Sequence, residues 1–231
     1  MREIALDTET TGLDPQQGHR IVEIGCVEMI NHVRTGKVFH VYINPRRDIP
    51  EAAYAVHGLS SEFLSDKPTF DQIADEFMTF IDDARLVIHN AQFDMKFINW
   101  ECQNIGKPVI PEDQILCTLM RARKEFPGSP ASLDALCKRF NIDTSARTLH
   151  GALLDAELLA DMYLELVGGL QVSMALSSNA GNQKAQQKME RKQRNVRYFP
   201  LKEEEQTAHA AFIEMLKDPL WKKISGGKNG D

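Results

Sequence analysis

The sequence predicts an α/β domain, a mixed sheet covered by helices, followed by a tail too short to build a core of its own. Segments rich in Ile and Val crowd the first 43 residues, helix and strand patterns then alternate as far as Gly169, and the composition changes abruptly after residue 176. Strands first and alternation afterwards imply a mixed sheet rather than a purely antiparallel one.

Residues 3–6, 21–30 and 38–43 read as strands separated by Gly, Pro and polar residues, the pattern of an antiparallel meander. Phe70, Ile73, Ala74, Phe77, Phe80 and Ile81 then keep helical spacing, and Leu86-Val87-Ile88 follows as a short buried strand. The alternation continues with a helix over 92–103, a strand over 115–118 and helices over 119–125 and 132–140. A last helix over 152–167 is closed by Gly168-Gly169, which ends a domain of residues 1–169. Residues 177–195 are dominated by Ser, Asn, Gln, Lys and Arg and read as a flexible linker. Beyond it, Ala208, Ala211, Phe212, Met215 and Leu216 mark one face of a short helix, and Pro219-Leu220-Trp221 adds an exposed apolar element.

With 42% hydrophobic residues in 231, the chain can bury a sizeable core, as a globular enzyme does. A strand pattern opens the chain and no apolar run reaches spanning length, so a cytoplasmic protein without membrane contact is expected. Cys26, Cys102, Cys117 and Cys137 form no CxxC pair, which argues against a zinc site and leaves most of them as small buried residues. Charge is uneven: residues 1–176 carry 26 acidic against 16 basic side chains, while 177–231 carry 7 against 11. An acidic body argues against tight duplex binding through a broad basic face, yet permits an enzyme that grips a few terminal nucleotides.

Four carboxylates and one imidazole stand out. The i, i+2 spacing of Asp7 and Glu9 at a strand end sends both carboxylates to one side of the sheet, where a divalent cation relieves their repulsion. Asp-x-Glu alone also describes ordinary solvated residues, but Thr10-Thr11-Gly12 next to it lets backbone approach a ligand closely. Asp94 opens a helix soon after the buried strand, where a first-turn carboxylate favoured by the helix dipole is the plainer reading. Asp155 lies within the apolar run Ala152, Leu153, Leu154, Ala156, Leu158 and Leu159, and a carboxylate so placed needs compensation, which a metal provides. His150 precedes that helix in a loop with Gly151, from which its ring can reach a site shared with Asp155.

These residues in this order, ending in His-x-x-x-x-Asp, closely resemble the DEDDh exonucleases of the ribonuclease H-like superfamily. Residues 1–169 look most like the proofreading epsilon subunits of bacterial DNA polymerase III. The resemblance implies a ribonuclease H-like fold and hydrolysis of a single-stranded 3′ end of DNA to 5′-monophosphates with two divalent ions, Mg²⁺ or Mn²⁺. Asp7, Glu9 and Asp155 would hold one ion, Asp7 and Asp94 the other, and His150 would be the general base. Candidates for holding the last nucleotide are Thr10, Thr11, Gly12, Leu13, His57, Asn90 and Phe93. Leu13 or Phe93 could pack on the terminal base, although core packing is an equal reading for Leu13, Leu59 and Phe93. Residues 170–176 are similar to a peptide that docks on the sliding clamp (beta), with Gln171, Ser173, Met174 and Leu176 as contacts; a frayed helix end is the plainer alternative. By analogy residues 196–231 would bind the polymerase III catalytic (alpha) subunit, and a small accessory subunit is a further expected partner. The same five residues also serve exoribonucleases that trim RNA, and a chain acting chiefly as a tether is the nonenzymatic alternative.

Overall fold

The computed structural model describes residues 1–145, 149–168 and 202–216, which fall into two units, the first ending at Gly168 and the second formed by 202–216. The first unit opens with strands β1 (Arg2–Thr10), β2 (Ile21–Ile30) and β3 (Val33–Tyr42), the expected antiparallel meander. Helices α1 (Glu51–His57), α2 (Ser61–Leu64) and α3 (Phe70–Ile81) follow, then β4 (Arg85–Ile88), α4 (Ala91–Asn104) and β5 (Ile115–Cys117). Helices α5 (Thr118–Glu125), α6 (Leu133–Arg139) and α7 (Ala152–Leu166) complete it. The sheet order is β3-β2-β1-β4-β5, with β1, β4 and β5 parallel, so the mixed α/β sheet flanked by helices expected from the sequence is present.

Several boundaries differ from expectation for physical reasons. β1 continues through Thr10 because β2 pairs with it throughout, Asp7 opposite Gly25 and Glu9 opposite Glu23, so the strand runs past Leu6 and carries both acidic residues near its C-terminal end. β3 starts at Val33 because Asn31 and His32, both at positive φ, close a tight turn that brings the chain straight back. Helices α1 and α2 have no apolar period to announce them, being short and largely exposed.

The alternation of β1 sorts the core into two layers. Ile4 and Leu6 face Phe70, Phe77 and Phe97 of α3 and α4, whereas Ala5 faces Leu136, Leu159 and Tyr163 of α6 and α7. Asp7 and Glu9 continue the Ala5 row and so point to the α7 side. Burial of Leu158, Leu159 and Met162, each worth roughly 1.5–3 kcal/mol, holds α7 on the sheet against any repulsion among acidic residues at its start. Its first turn touches the strands where β2 carries Gly25: a Cβ there would stand 2.3 Å from the Ala152 carbonyl carbon. Only glycine permits that approach, and it sits opposite Asp7 in the ladder.

Cys26, Cys102 and Cys137 are buried and Cys117 is half-buried, all as free thiols. No helix among the described residues is long and apolar enough to cross a membrane. The second unit is the expected helix, α8 (Glu203–Met215), with Phe212 and Met215 exposed. The clamp-type peptide with Gln171, Ser173, Met174 and Leu176, the linker 177–195 and residues 219–221 lie outside the described residues.

Candidate active site

At the end of β1, one ligand atom each from Glu9, His150 and Asp155 lies within 4.8 Å of the others. Glu9 and Asp155 are buried, and His150 Nδ1 stands 3.2 Å from Asp155 Oδ2 at an exposed loop position. Asp7 lies on the same sheet face, one residue pair back along β1. Asp94 comes from the opposite layer, in the first turn of α4, and is held at the sheet end by Thr8, whose hydroxyl and backbone N–H donate to Oδ1 at 2.7 and 3.1 Å. Burial pushes the Asp94 carboxyl up to about 7, against the pull of those two donors. The structure thus assembles Glu9, His150 and Asp155 into one cluster, carries Asp7 two residues from Glu9 on the same face of β1, and holds Asp94 on Thr8, the strand residue between them.

Convergent carboxylates at a buried strand end repel one another until a cation or proton intervenes. Carboxylate oxygens outnumber the single imidazole in this set, and hard oxygen donors of this kind fit a hard divalent cation such as Mg²⁺ or Mn²⁺ rather than a soft one.

Beside the cluster, and sharing Glu9 with it, opens a cavity of about 570 Å³. Thr10, Thr11, Gly12, Leu13, His57 and Phe93, all singled out in the sequence, line it together with His19, Pro50, Ala52, Ala53 and Val56, which were not. Leu13 is 81% exposed, which removes core packing as its role. Phe93 is half-buried, its ring 5.2 Å from that of Phe97, so it serves wall and core together. Asn90 is not among the lining residues: it is an exposed left-handed N-cap of α4, at φ 66°. His57 Nδ1 accepts the Leu59 N–H at 3.0 Å, which puts the proton of the neutral ring on Nε2, and burial lowers its pKa.

The loop that forms this wall is tied to α4, the helix that carries Asp94. Thr11 N–H donates to the Arg20 carbonyl at 2.9 Å, and the Arg20 N–H returns to Thr11 Oγ1 at 3.0 Å. The Arg20 guanidinium makes two 2.6 Å bonds to buried Glu101, and Lys96 pairs with Asp14 at 2.9 Å. Both anchoring side chains, Glu101 and Lys96, belong to α4, the helix of Phe93 and Asp94. A charged residue on the apolar face made by Phe97, Ile98 and Cys102 is the signal by which sequence could have found Glu101.

The RNase_T model, described as an exonuclease, matches residues 4–163. A DNA polymerase III subunit epsilon from Rickettsia conorii is 51% identical over 225 residues, covering 94% of this chain and 96% of the relative. That of Escherichia coli K12 is 46% identical over 229 residues, covering 94% and 93%. Among solved structures, exonuclease X in complex with 5′ overhanging duplex DNA superposes with a TM-score of 0.54 at 27% identity, covering 72% of this chain and 90% of that one. The nuclease domain of 3′hExo, a DEDDh family member bound to rAMP, has the same fold at a TM-score of 0.61 and 18% identity, covering 72% and 91%. With a family model spanning most of its first unit and relatives alike over nearly its whole length, the chain belongs to the RNase_T exonuclease family, among the DNA polymerase III epsilon subunits.

Proposed function

We propose that this chain is the 3′–5′ proofreading exonuclease of a DNA polymerase III, removing mispaired 3′-terminal nucleotides as 5′-monophosphates. The observation that carries the reading is Glu9, which belongs at once to the acidic cluster and to the wall of the adjoining cavity. A nucleotide seated in that cavity has its phosphate at the carboxylates.

Asp7, Glu9 and Asp155 would hold one divalent ion, and Asp7 with Asp94 a second. When bound, the ions supply charge neutralisation at the phosphate and at the leaving oxygen. His150, as neutral imidazole, accepts a proton from the attacking water. Water oxygen bonds to phosphorus as the phosphorus–O3′ bond breaks; O3′ takes a proton from solvent to become the 3′-hydroxyl of the shortened strand, and His150 returns its proton to solvent. Thr10, Thr11, Gly12, Leu13, His57 and Phe93 hold the last nucleotide. Selection of a mismatch needs no detector of the wrong base, because a cavity of this size takes one unpaired nucleotide and a mispaired end frays more readily.

Around the nuclease domain, residues 170–176 engage the sliding clamp and residues 196–231 the alpha subunit, with a small accessory subunit as a further partner, in the cytoplasm. The exposed apolar side chains of α8 suit a helix awaiting such a surface. Incubation of the full chain with paired or mismatched primer-template, with Mg²⁺ or chelator, and alongside an all-RNA strand, tests this. Metal-dependent monophosphate release, fastest from the mismatched DNA end, is expected. Preference for RNA would make the chain an exoribonuclease, and no release from any strand would reduce it to a tether.

A further inference from the structure

The imidazole assigned as general base is attached, through its own backbone, to the wall of the nucleotide cavity. His150 N–H donates to the Val56 carbonyl at 3.1 Å, and Val56 and His57 line the cavity. The preceding residue, Leu149, lies on Gly58, where a Cβ would stand 2.7 Å from Leu149 Cδ1. Gly58 ends α1 in the left-handed region at φ 71°, its N–H bonded to the Tyr54 carbonyl at 2.7 Å. That conformation and that contact both call for glycine. His57 is the one buried residue of α1, so this short helix is held to the body chiefly through the same side chain that faces the nucleotide.

We propose that the turn Val56-His57-Gly58 is a positioning device that couples filling of the cavity by the terminal nucleotide to placement of His150 for proton abstraction. The proposal rests on the exonuclease reading and adds to it the route by which substrate fit reaches the chemistry. A nucleotide that seats against Val56 and His57 fixes the Val56 carbonyl, and with it the backbone of His150. One that seats poorly leaves the base misplaced even when the phosphate has reached the carboxylates. Rejection of ill-fitting ends then falls on turnover as well as on binding. Gly58 and Leu149 are positioning residues in this scheme and touch neither substrate nor water.

The test uses the full chain with Mg²⁺ and short single-stranded DNA, comparing wild type, Gly58→Ala and the double variant Gly58→Ala with Leu149→Ala. Turnover is read beside the inhibition constant of a deoxynucleoside 5′-monophosphate, which reports the cavity itself, and thermal melting identifies the folded variants. The expected result is a loss of kcat of about tenfold to a hundredfold in Gly58→Ala, the range for a base displaced by about an ångström, with monophosphate affinity nearly unchanged. Removing the Leu149 side chain should restore the share of that loss caused by the contact, since it frees the space the new Cβ needs, while the strain of alanine at φ 71° remains. Wild-type kcat in Gly58→Ala would overturn the coupling, as would a parallel fall of kcat and monophosphate affinity that the second substitution does not relieve. Absence of hydrolysis by the wild type would instead overturn the exonuclease reading, and the coupling with it.

Discussion

Glu3 and Glu9 lie on the same strand and the same face, both are buried, and both look toward α7, yet they have opposite surroundings. Glu3 accepts from two donors, the Tyr163 hydroxyl at 2.9 Å and the His32 backbone N–H at 3.1 Å, and His32 Nδ1 stands 2.7 Å from it. Glu9 is met instead by a further carboxylate, Asp155, and by His150. A single helix supplies both environments, since Tyr163 and Asp155 are eight residues apart on α7, about 12 Å along its axis. The contrast separates a carboxylate held by a tyrosine hydroxyl and a backbone N–H from one that converges with a second carboxylate and an imidazole. The first arrangement ties strand to helix; the second, under the exonuclease reading, is where a divalent cation would bind.

The sharpest way to break this comparison is to exchange the expected losses. Asp155→Ala or Asp7→Ala should lower hydrolysis by about a thousandfold or more, while the metal-free melting temperature stays level or rises as repulsion is relieved. Glu3→Ala should do the reverse, costing on the order of 1–3 kcal/mol by stranding the buried Tyr163 hydroxyl, with kcat of the folded protein within about twofold of wild type. Denaturant melts and single-turnover rates on the same preparations check both. A Glu3→Ala protein that is stable but inactive would show that the two ends of β1 are not functionally distinct. His150→Ala comes next, with a rate loss of about a hundredfold to ten-thousandfold and divalent-ion affinity, followed by calorimetry, little altered. Unchanged turnover would dismiss it as the base.

Much of this was legible in the sequence, for reasons the two glutamates make plain. The meander, the parallel strands and α7 follow from apolar periodicity, because half-buried strands and amphipathic helices must alternate to bury their faces. Asp155 stands out because a carboxylate within an apolar run requires an explanation, Asp7 and Glu9 because their i, i+2 spacing puts two like charges on one face, and Asp94 and His150 only through the ordered set of five that resembles a known family. Glu3 satisfied the same description and went unnoticed, since its partners, His32 and Tyr163, are distant in sequence and only the fold unites them. For the same reason the Arg20–Glu101 clasp and the Val56–His150 link were not readable. Helix α1, which supplies a whole wall of the cavity, has too little buried surface to leave a pattern.

Asp94 tests the comparison between layers more gently. Its folded pKa, pushed up to about 7 by burial, exceeds the value of about 3.9 for an unfolded chain, so between those limits the native state binds more protons than the unfolded one. Its contribution to stability is therefore fully present at low pH and lost as pH rises toward 7. Buried His57 and half-buried His89, whose pKa values desolvation lowers, push the other way. The slope is consequently read as the difference between wild type and Asp94→Asn in chelator, where the histidines cancel. Wild type should lose stability relative to the variant from pH 5 to 7, and saturating Mg²⁺ should reverse the trend by favouring the ionised carboxylate. A difference that does not change with pH would mean that Asp94 is already ionised in the metal-free protein.

The smallest expected effect falls at the cavity mouth, where Leu13 and Phe93 divide the labour between binding and folding. Leu13, being 81% exposed, contributes little to the core, so Leu13→Ala should leave the melting temperature unchanged and raise KM for single-stranded DNA only a few-fold, about 1 kcal/mol of apolar contact. Phe93→Ala removes a ring that also packs on Phe97 and should cost stability as well as affinity. The pair sharpens the lesson of the two glutamates: a side chain that loses only KM when cut faces the substrate alone, whereas one that loses both belongs to the scaffold that holds the site open.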